Sequence, residues 1–149
     1  MTAERKAPVT GRAEIEIAAP PEVVWEVLTR LENWPNWNSD VKWMRLDGPL
    51  APGTEFRWKA GPGTIVSTID RVEPPRYISW HGRTLTIDAY HQWWLEPRDS
   101  GTFVRTEEPF FGALAQLLRR PLQKTLDKSF ADSLERLKRE AERQAGSSG

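Results

Sequence analysis

His91 and Glu108 are the two residues of this chain whose types and placement best suit proton transfer. In the stretch 84–96, Ile87, Ala89, His91, Trp93 and Leu95 alternate onto one face, and Asp88, Tyr90, Gln92, Trp94 and Glu96 onto the other. The first set is the more apolar, so it faces inward and takes His91 with it. In the following segment Val104 carries Thr102, Thr106 and Glu108 inward in the same way. A neutral imidazole beside a carboxyl whose pKa is raised by burial is a candidate acid/base pair. The competing role is structural, with His91 donating to a backbone or Thr106 oxygen and orienting nothing.

Aromatic side chains form the second candidate set. The chain has eight tryptophans, against two tyrosines and five phenylalanines. Trp58, Trp80 and Trp93 fall on inward faces with Phe56 and Ile78. Indoles around a cleft offer flat apolar contact and one N–H donor each, which suits an aromatic or isoprenoid ligand. The alternative is that they only fill a core. Trp37, Thr106 and Phe130 complete the expected ligand contacts, with Phe110, Phe111 and Leu114 as an apolar lid at the entrance. On the outer face, Tyr90, Trp94 and Phe103 read as an exposed aromatic cluster suited to weak self-association or protein association. His81, beside Gly82, reads as an exposed turn residue. Asp40, Asp70 and Asp88 are scattered, and no histidines or carboxylates have metal-ligand spacing, so neither metal nor cofactor is expected. Gly61-Pro62-Gly63 precedes no helix and reads as a hairpin turn instead of a phosphate cradle.

These residues need elements to hold them. From Leu122 the apolar positions Leu122, Leu126, Phe130, Leu134, Leu137 and Ala141 recur at spacings of four and three, predicting a long helix over about 112–144. Its other face pairs Asp132 with Arg136, Glu135 with Arg139, Arg136 with Glu140 and Lys138 with Glu142 at helical spacing. Leu114, Leu117 and Leu118 point in a different direction, and Pro121 removes a helical hydrogen bond. A kink or break is therefore expected at Arg119 to Pro121. Ahead of this helix, 13–18 reads as a strand, Pro20-Pro21 opens a helix running to about Leu31, and 33–38 makes a turn or second short helix. Strands follow at about 41–47, 54–60, 64–73, 76–82, 84–96 and 101–108, separated by short Gly and Pro clusters that imply an antiparallel meander. The layout is α+β, a single domain over 12–144 with flexible ends at 1–11 and 145–149.

Composition excludes several classes. Lysine plus arginine and aspartate plus glutamate number 21 each, so no global charge recruits nucleic acid or an anionic membrane. There is no cysteine, hence no disulfide, zinc thiolate or cysteine nucleophile. No apolar run approaches the length of a membrane span, so stable membrane insertion is not expected. The polar N-terminus lacks a secretory apolar core, and a cytoplasmic location is the default.

The order of signals resembles a known family. Ile15-Glu16-Ile17-Ala18-Ala19-Pro20-Pro21-Glu22-Val23-Val24-Trp25, Trp34-Pro35-Asn36-Trp37, Glu73-Pro74-Pro75-Arg76-Tyr77-Ile78-Ser79-Trp80 and His91-Gln92-Trp93-Trp94-Leu95-Glu96-Pro97 are similar to landmarks of polyketide cyclase/dehydrase-like proteins of the START-like, helix-grip (SRPBCC) superfamily. The closing Leu134-Glu135-Arg136-Leu137 stretch fits that superfamily's last helix. The resemblance implies a seven-stranded antiparallel sheet wrapped around the C-terminal helix, two short helices between strands 1 and 2, and a cavity for an apolar ligand. The expected function is binding of a lipid-like, quinone or polyketide/aromatic molecule. The alternatives are a polyketide aromatase/cyclase or dehydratase using His91 and Glu108, and a chaperone-activator-like interaction module. Arg119-Arg120 and Lys124-Lys128 then form a basic patch near the cavity mouth, read as a solvated face or as a site for an acidic headgroup.

Overall fold

Residues 6–148 are described in a computed structural model of the chain. The elements run β1 (Val9–Ile17), α1 (Pro21–Thr29), a 3-10 helix (Leu31–Asn36), β2 (Trp43–Leu46), β3 (Glu55–Lys59), β4 (Thr64–Glu73), β5 (Tyr77–Thr84), β6 (Ile87–Arg98), β7 (Gly101–Phe111), α2 (Ala113–Leu117) and α3 (Arg119–Ser148). The strands form one antiparallel sheet in the order β1-β7-β6-β5-β4-β3-β2. This is the helix-grip fold that the sequence resembles: α3 packs along β1 and against α1 on the inner face of the sheet. Pro21 begins α1 at its first turn, where no N–H is needed, and the Pro20 carbonyl accepts from the N–H groups of Val23 and Val24.

The inner face is the one period-two alternation selects. Phe56, Trp58, Ile69, Ile78, Trp80, Trp93, Leu95 and Val104 are all buried on it, opposite Leu134, Leu137 and Ala141 of α3. The 3-10 helix closes one end. Its Trp34 donates Nε1–H to the Leu28 carbonyl (2.8 Å) and meets Trp37, Trp58, Trp80 and Trp93 at ring-centroid separations of 5.2–6.1 Å. Asn38 then ties this end to α3: its side chain donates to Ser133 Oγ and accepts from Arg136, which also pairs with Asp40 at 3.0 Å.

Several expectations need correction. β1 starts at Val9 and pairs Val9 through Gly11 with Phe110 through Glu108, and α3 runs on to Ser148. Residues 9–11 and 145–148 are thus structured; flexibility of residues 1–5 and Gly149 lies outside the described residues. The β5–β6 connection is Leu85-Thr86, two residues beyond the expected boundary between 76–82 and 84–96. Gly82 lies within β5, where a Cβ would sit 3.1 Å from Ser67 Oγ, so it reports close packing and not a turn. His81 is exposed but belongs to the same strand. β6 continues through Pro97, and β7 passes Pro109 to Phe111, which puts Phe110 and Phe111 in the sheet and not in a lid. Of the four helical ion pairs expected, Lys138–Glu142 forms. Asp132 pairs instead with Lys128, Glu140 with Arg143, and Arg136 with Asp40.

The C-terminal helix is broken, at Leu118. Leu118 N–H bonds to the Leu114 carbonyl and closes α2, while its own carbonyl accepts from Leu122 and opens α3. Pro121 therefore occupies the first turn of α3, where its missing N–H has no partner to lose. The break falls just ahead of the expected Arg119 to Pro121. Before α2, Gly112 has φ +118°, and a Cβ there would lie 2.4 Å from the Thr86 carbonyl. Gly112→Ala is expected to destabilise the fold by about 2 kcal/mol or more. Gly53→Ala, also at positive φ (+91°) but in open space, should lose only about 1 kcal/mol. Urea unfolding of the two variants checks this, and equal losses would refute a packing role for Gly112.

Candidate functional site

The apolar stripe of α3 is not buried evenly. Leu134, Leu137 and Ala141 are sealed, whereas Leu122, Leu126 and Phe130 are only half-buried. On the sheet side of that upstream half, Ile87, Ala89, Phe110 and Phe111 are half-buried as well, as is Leu114 of α2. Apolar side chains on facing elements that neither meet solvent fully nor seal against each other mark the least tightly covered part of the inner face, while open concavities lie elsewhere, beside Glu16 and Ser100 and beside Trp94 and Phe103. This half-covered part lies at the end of the molecule where β5 passes to β6 and β7 passes to α2. Its floor is formed by Phe130, stacked on His91 with centroids 5.5 Å apart, and by Trp93, stacked on the same imidazole at 4.9 Å. Gly11 of β1 leaves room for the Phe130 ring, whose Cζ lies 2.9 Å from where a Cβ would stand.

His91 and Glu108 meet at this floor, as their register predicts, with Nδ1 to Oε1 at 3.3 Å and both residues buried. The pairs Asp88–Phe111 and Ala89–Phe110 form on one side, and Gln92–Glu107 on the other. The β6–β7 ladder is interrupted between them, at Tyr90-His91 against Glu108-Pro109, where Pro109 has no N–H to offer. The tautomer of His91 follows from its neighbours. Thr106 must donate its hydroxyl to the Gln92 carbonyl (3.0 Å), since a carbonyl only accepts. Thr106 Oγ1 therefore accepts from His91 Nε2–H at 2.8 Å, and the Nδ1 lone pair is left facing Glu108. The Glu108 oxygen is close, yet Nδ1 makes no hydrogen bond.

Desolvation decides the charges. Burial lowers the His91 pKa to about 3 and raises that of Glu108 to about 8. The contact that would be a salt bridge between ions is a contact between two neutral groups near pH 7. Glu108 is then a carboxylic acid with a proton to give, and His91 a weak base with a free lone pair. The Nε1–H groups of Trp37, Trp80 and Trp93 are likewise buried without partners. Every unmatched ring nitrogen here except Nδ1 is a donor, so the interior favours oxygen acceptors.

The remaining predicted residues divide clearly. Phe56 and Trp80 are wholly buried and pack edge to face at 5.3 Å; Trp58 donates to Ser67 Oγ at 3.1 Å. These fill the core around Trp34, and Trp37 joins them there. Trp93, Thr106, Glu108 and Phe130 gather around His91, and Phe110, Phe111 and Leu114 are half-buried on the elements beside them. Trp34, the hub of the tryptophan packing, was legible only as a turn anchor, because sequence spacing does not reveal which strands a 3-10 helix faces. On the outer face Trp94 and Phe103 line one surface concavity with Arg105 and Pro97, and Tyr90 is not part of it. Tyr90 donates to Asp70 (2.8 Å), Arg105 covers Trp94 (4.2 Å), and Arg98 covers Phe103 (4.7 Å). Among the described residues no group of metal-ligating side chains is present, and no helix is long and apolar enough to cross a membrane.

Residues 8–142 match the family described as "Polyketide cyclase / dehydrase and lipid transport". The chain belongs to that family. Solved structures agree in fold. The Zhui aromatase/cyclase from Streptomyces sp. R1128 superposes with TM-score 0.76 at 18% identity, covering 91% of this chain and 94% of that one. TTHA0849 from Thermus thermophilus gives 0.75 at 20% identity, covering 89% and 96%. Ara h 8.0201 gives 0.72 at 13% identity, covering 89% and 96%. No curated protein matches the chain. As a polyketide cyclase/dehydrase-family protein of helix-grip fold, the chain has a general role in hydrophobic-ligand binding or cyclisation.

The site predicts a pH signature. As pH rises from the unfolded carboxyl value of 4.5 toward about 8, the folded state keeps a Glu108 proton that the unfolded chain releases. Stability therefore falls across that window, by about 1–3 kcal/mol between pH 5 and pH 8. His91 acts in the opposite sense, since stability is lost as pH falls from 6.5 toward about 3. Glu108→Gln is expected to abolish the alkaline loss and retain the acid one. Denaturant titrations across pH measure both, and an unchanged alkaline slope in the variant would show Glu108 to be ionised in the folded protein.

Proposed function

We propose that the cleft between the sheet and the upstream half of α3 binds a hydrophobic, ring-containing small molecule that carries oxygen acceptors. The observation that carries this reading is the uneven burial along α3, where Leu122, Leu126 and Phe130 stay half-covered although Leu134, Leu137 and Ala141 are sealed. The unmatched Trp93 N–H beside His91 favours a quinone or polyketone over a saturated acyl chain. Native mass spectrometry after extraction, with titration of the indole fluorescence by quinone, polyketide-mimic and fatty-acid probes, tests it. Quenching by the carbonyl-bearing probes, weakened about 10-fold or more in Phe130→Ala, is the expected result. No response to any of the probes would overturn it.

A second reading, cyclisation, is favoured by one specific observation: the Glu108 carboxyl, which burial biases toward its protonated form, lies 3.3 Å from an unoccupied His91 Nδ1. With a poly-β-ketone bound, Nδ1 takes the proton from a carbon between two carbonyls. The resulting enolate carbon attacks a second carbonyl carbon, and that carbonyl's oxygen takes the Glu108 proton as the carbon–carbon bond forms. The imidazolium then returns its proton to the adjacent carboxylate, restoring both groups. Cyclisation of a poly-β-ketone thioester mimic should show a bell-shaped pH profile that collapses in His91→Ala. In Glu108→Gln the rate should fall about 100-fold or more with probe binding retained. Equal rates in all three proteins would leave binding as the sole function.

A further inference from the structure

We infer that the end of the molecule at which the cleft opens is a docking surface for an anionic lipid bilayer. Three leucines stand out there. Leu85, in the two-residue connection between β5 and β6, is 62% exposed and has φ +53°, a backbone region that bulky side chains rarely adopt. A solvent-facing turn at that dihedral favours glycine or asparagine, so a leucine there is unfavourable in both backbone and solvation. Leu117 and Leu118, at the α2–α3 break, are 78% and 42% exposed. The two features adjoin, because Gly112, immediately before α2, is pressed against the Thr86 carbonyl next to Leu85.

The charges that directly follow Leu117 and Leu118 in the chain are of one sign. Arg119, Arg120 and Lys124 follow directly in the first turns of α3 and are all exposed. Among the described residues none of the three makes an ion pair, whereas Lys128, one turn on, is paired with Asp132. The nearest acid on this stretch, Asp127, accepts from Gln123. On the neighbouring strands Asp88 is paired with Arg83. Uncompensated cations bordering exposed leucines match a surface with negative charge outside and hydrocarbon beneath. The leucines sit on two separate protrusions, a turn tip and a helix break, and do not form a flat patch. Separate tips can enter a fluid interface without shape complementarity, which a protein partner would require. Because the whole chain is electrically neutral, the attraction is local and must weaken steeply with salt. Docking here would bring the cleft opening to the phase in which a hydrophobic ligand is dissolved.

The inference depends on the cleft reading for its purpose alone, and its test needs no cleft ligand, so either can fail separately. The full chain is floated with vesicles of equimolar phosphatidylcholine and phosphatidylglycerol, and with vesicles of phosphatidylcholine only. Binding to the anionic vesicles at low salt, at least about fivefold stronger than to the neutral ones and lost at high salt, is expected. Leu85→Asn keeps a residue that tolerates the left-handed backbone, so it removes the apolar tip without endangering the fold. It should reduce binding about threefold or more, as should Leu117→Asn with Leu118→Asn and Arg119→Gln with Arg120→Gln and Lys124→Gln. Thermal unfolding and the fluorescence response to cleft probes should remain as in the wild type. Absence of vesicle binding, equal binding to neutral vesicles, or wild-type binding by Leu85→Asn would overturn the proposal. Capture by soluble polyanions without vesicle binding would overturn it in favour of an acidic macromolecule.

Discussion

A seven-stranded antiparallel sheet has one apolar face too wide for a single helix to cover, and the rest of this structure follows from how that face is shared. α3 seals the half lying over Leu95, Val104 and Ile17, with α1 packed beside it. The 3-10 helix covers the end bearing β3 and β5 by inserting Trp34 among four other indoles. What remains is the strip under the upstream half of α3, where helix and sheet stay half-buried. Hydrophobic burial that saturates at one end and falls short at the other leaves a strip of half-covered apolar surface.

The polar chemistry sits at the boundary between the sealed and unsealed regions. His91 and Glu108 are desolvated enough to be neutral, yet Phe130, their cover, is itself half-buried. Pro109 loosens the ladder at that point, and Thr106 fixes the imidazole tautomer. A charged pair in this position would have to recover a large desolvation penalty from one contact of 3.3 Å. Two neutral groups avoid that penalty and leave a proton on Glu108. The cost appears as a carboxyl that resists ionisation, which ties the stability of the fold to the same group that reading the site chemically brings forward.

The sequence by itself determined the strands, their faces and the pairing of His91 with Glu108, because these depend on local alternation along adjacent strands. It also placed a break near Pro121, since a missing N–H is a local fact. Family landmarks spread over most of the chain carried the helix-grip architecture. Glycine and proline misled where tertiary packing overrode their local meaning: Gly82 serves contact with Ser67, and Pro97 and Pro109 lie within strands. Only the tertiary structure decided which indoles fill the core, that Trp34 is their hub, and that Trp94 and Phe103 border one surface concavity without Tyr90. It likewise decided which half of the α3 stripe seals, because burial depends on what stands opposite a side chain, and a linear pattern records only which way it points.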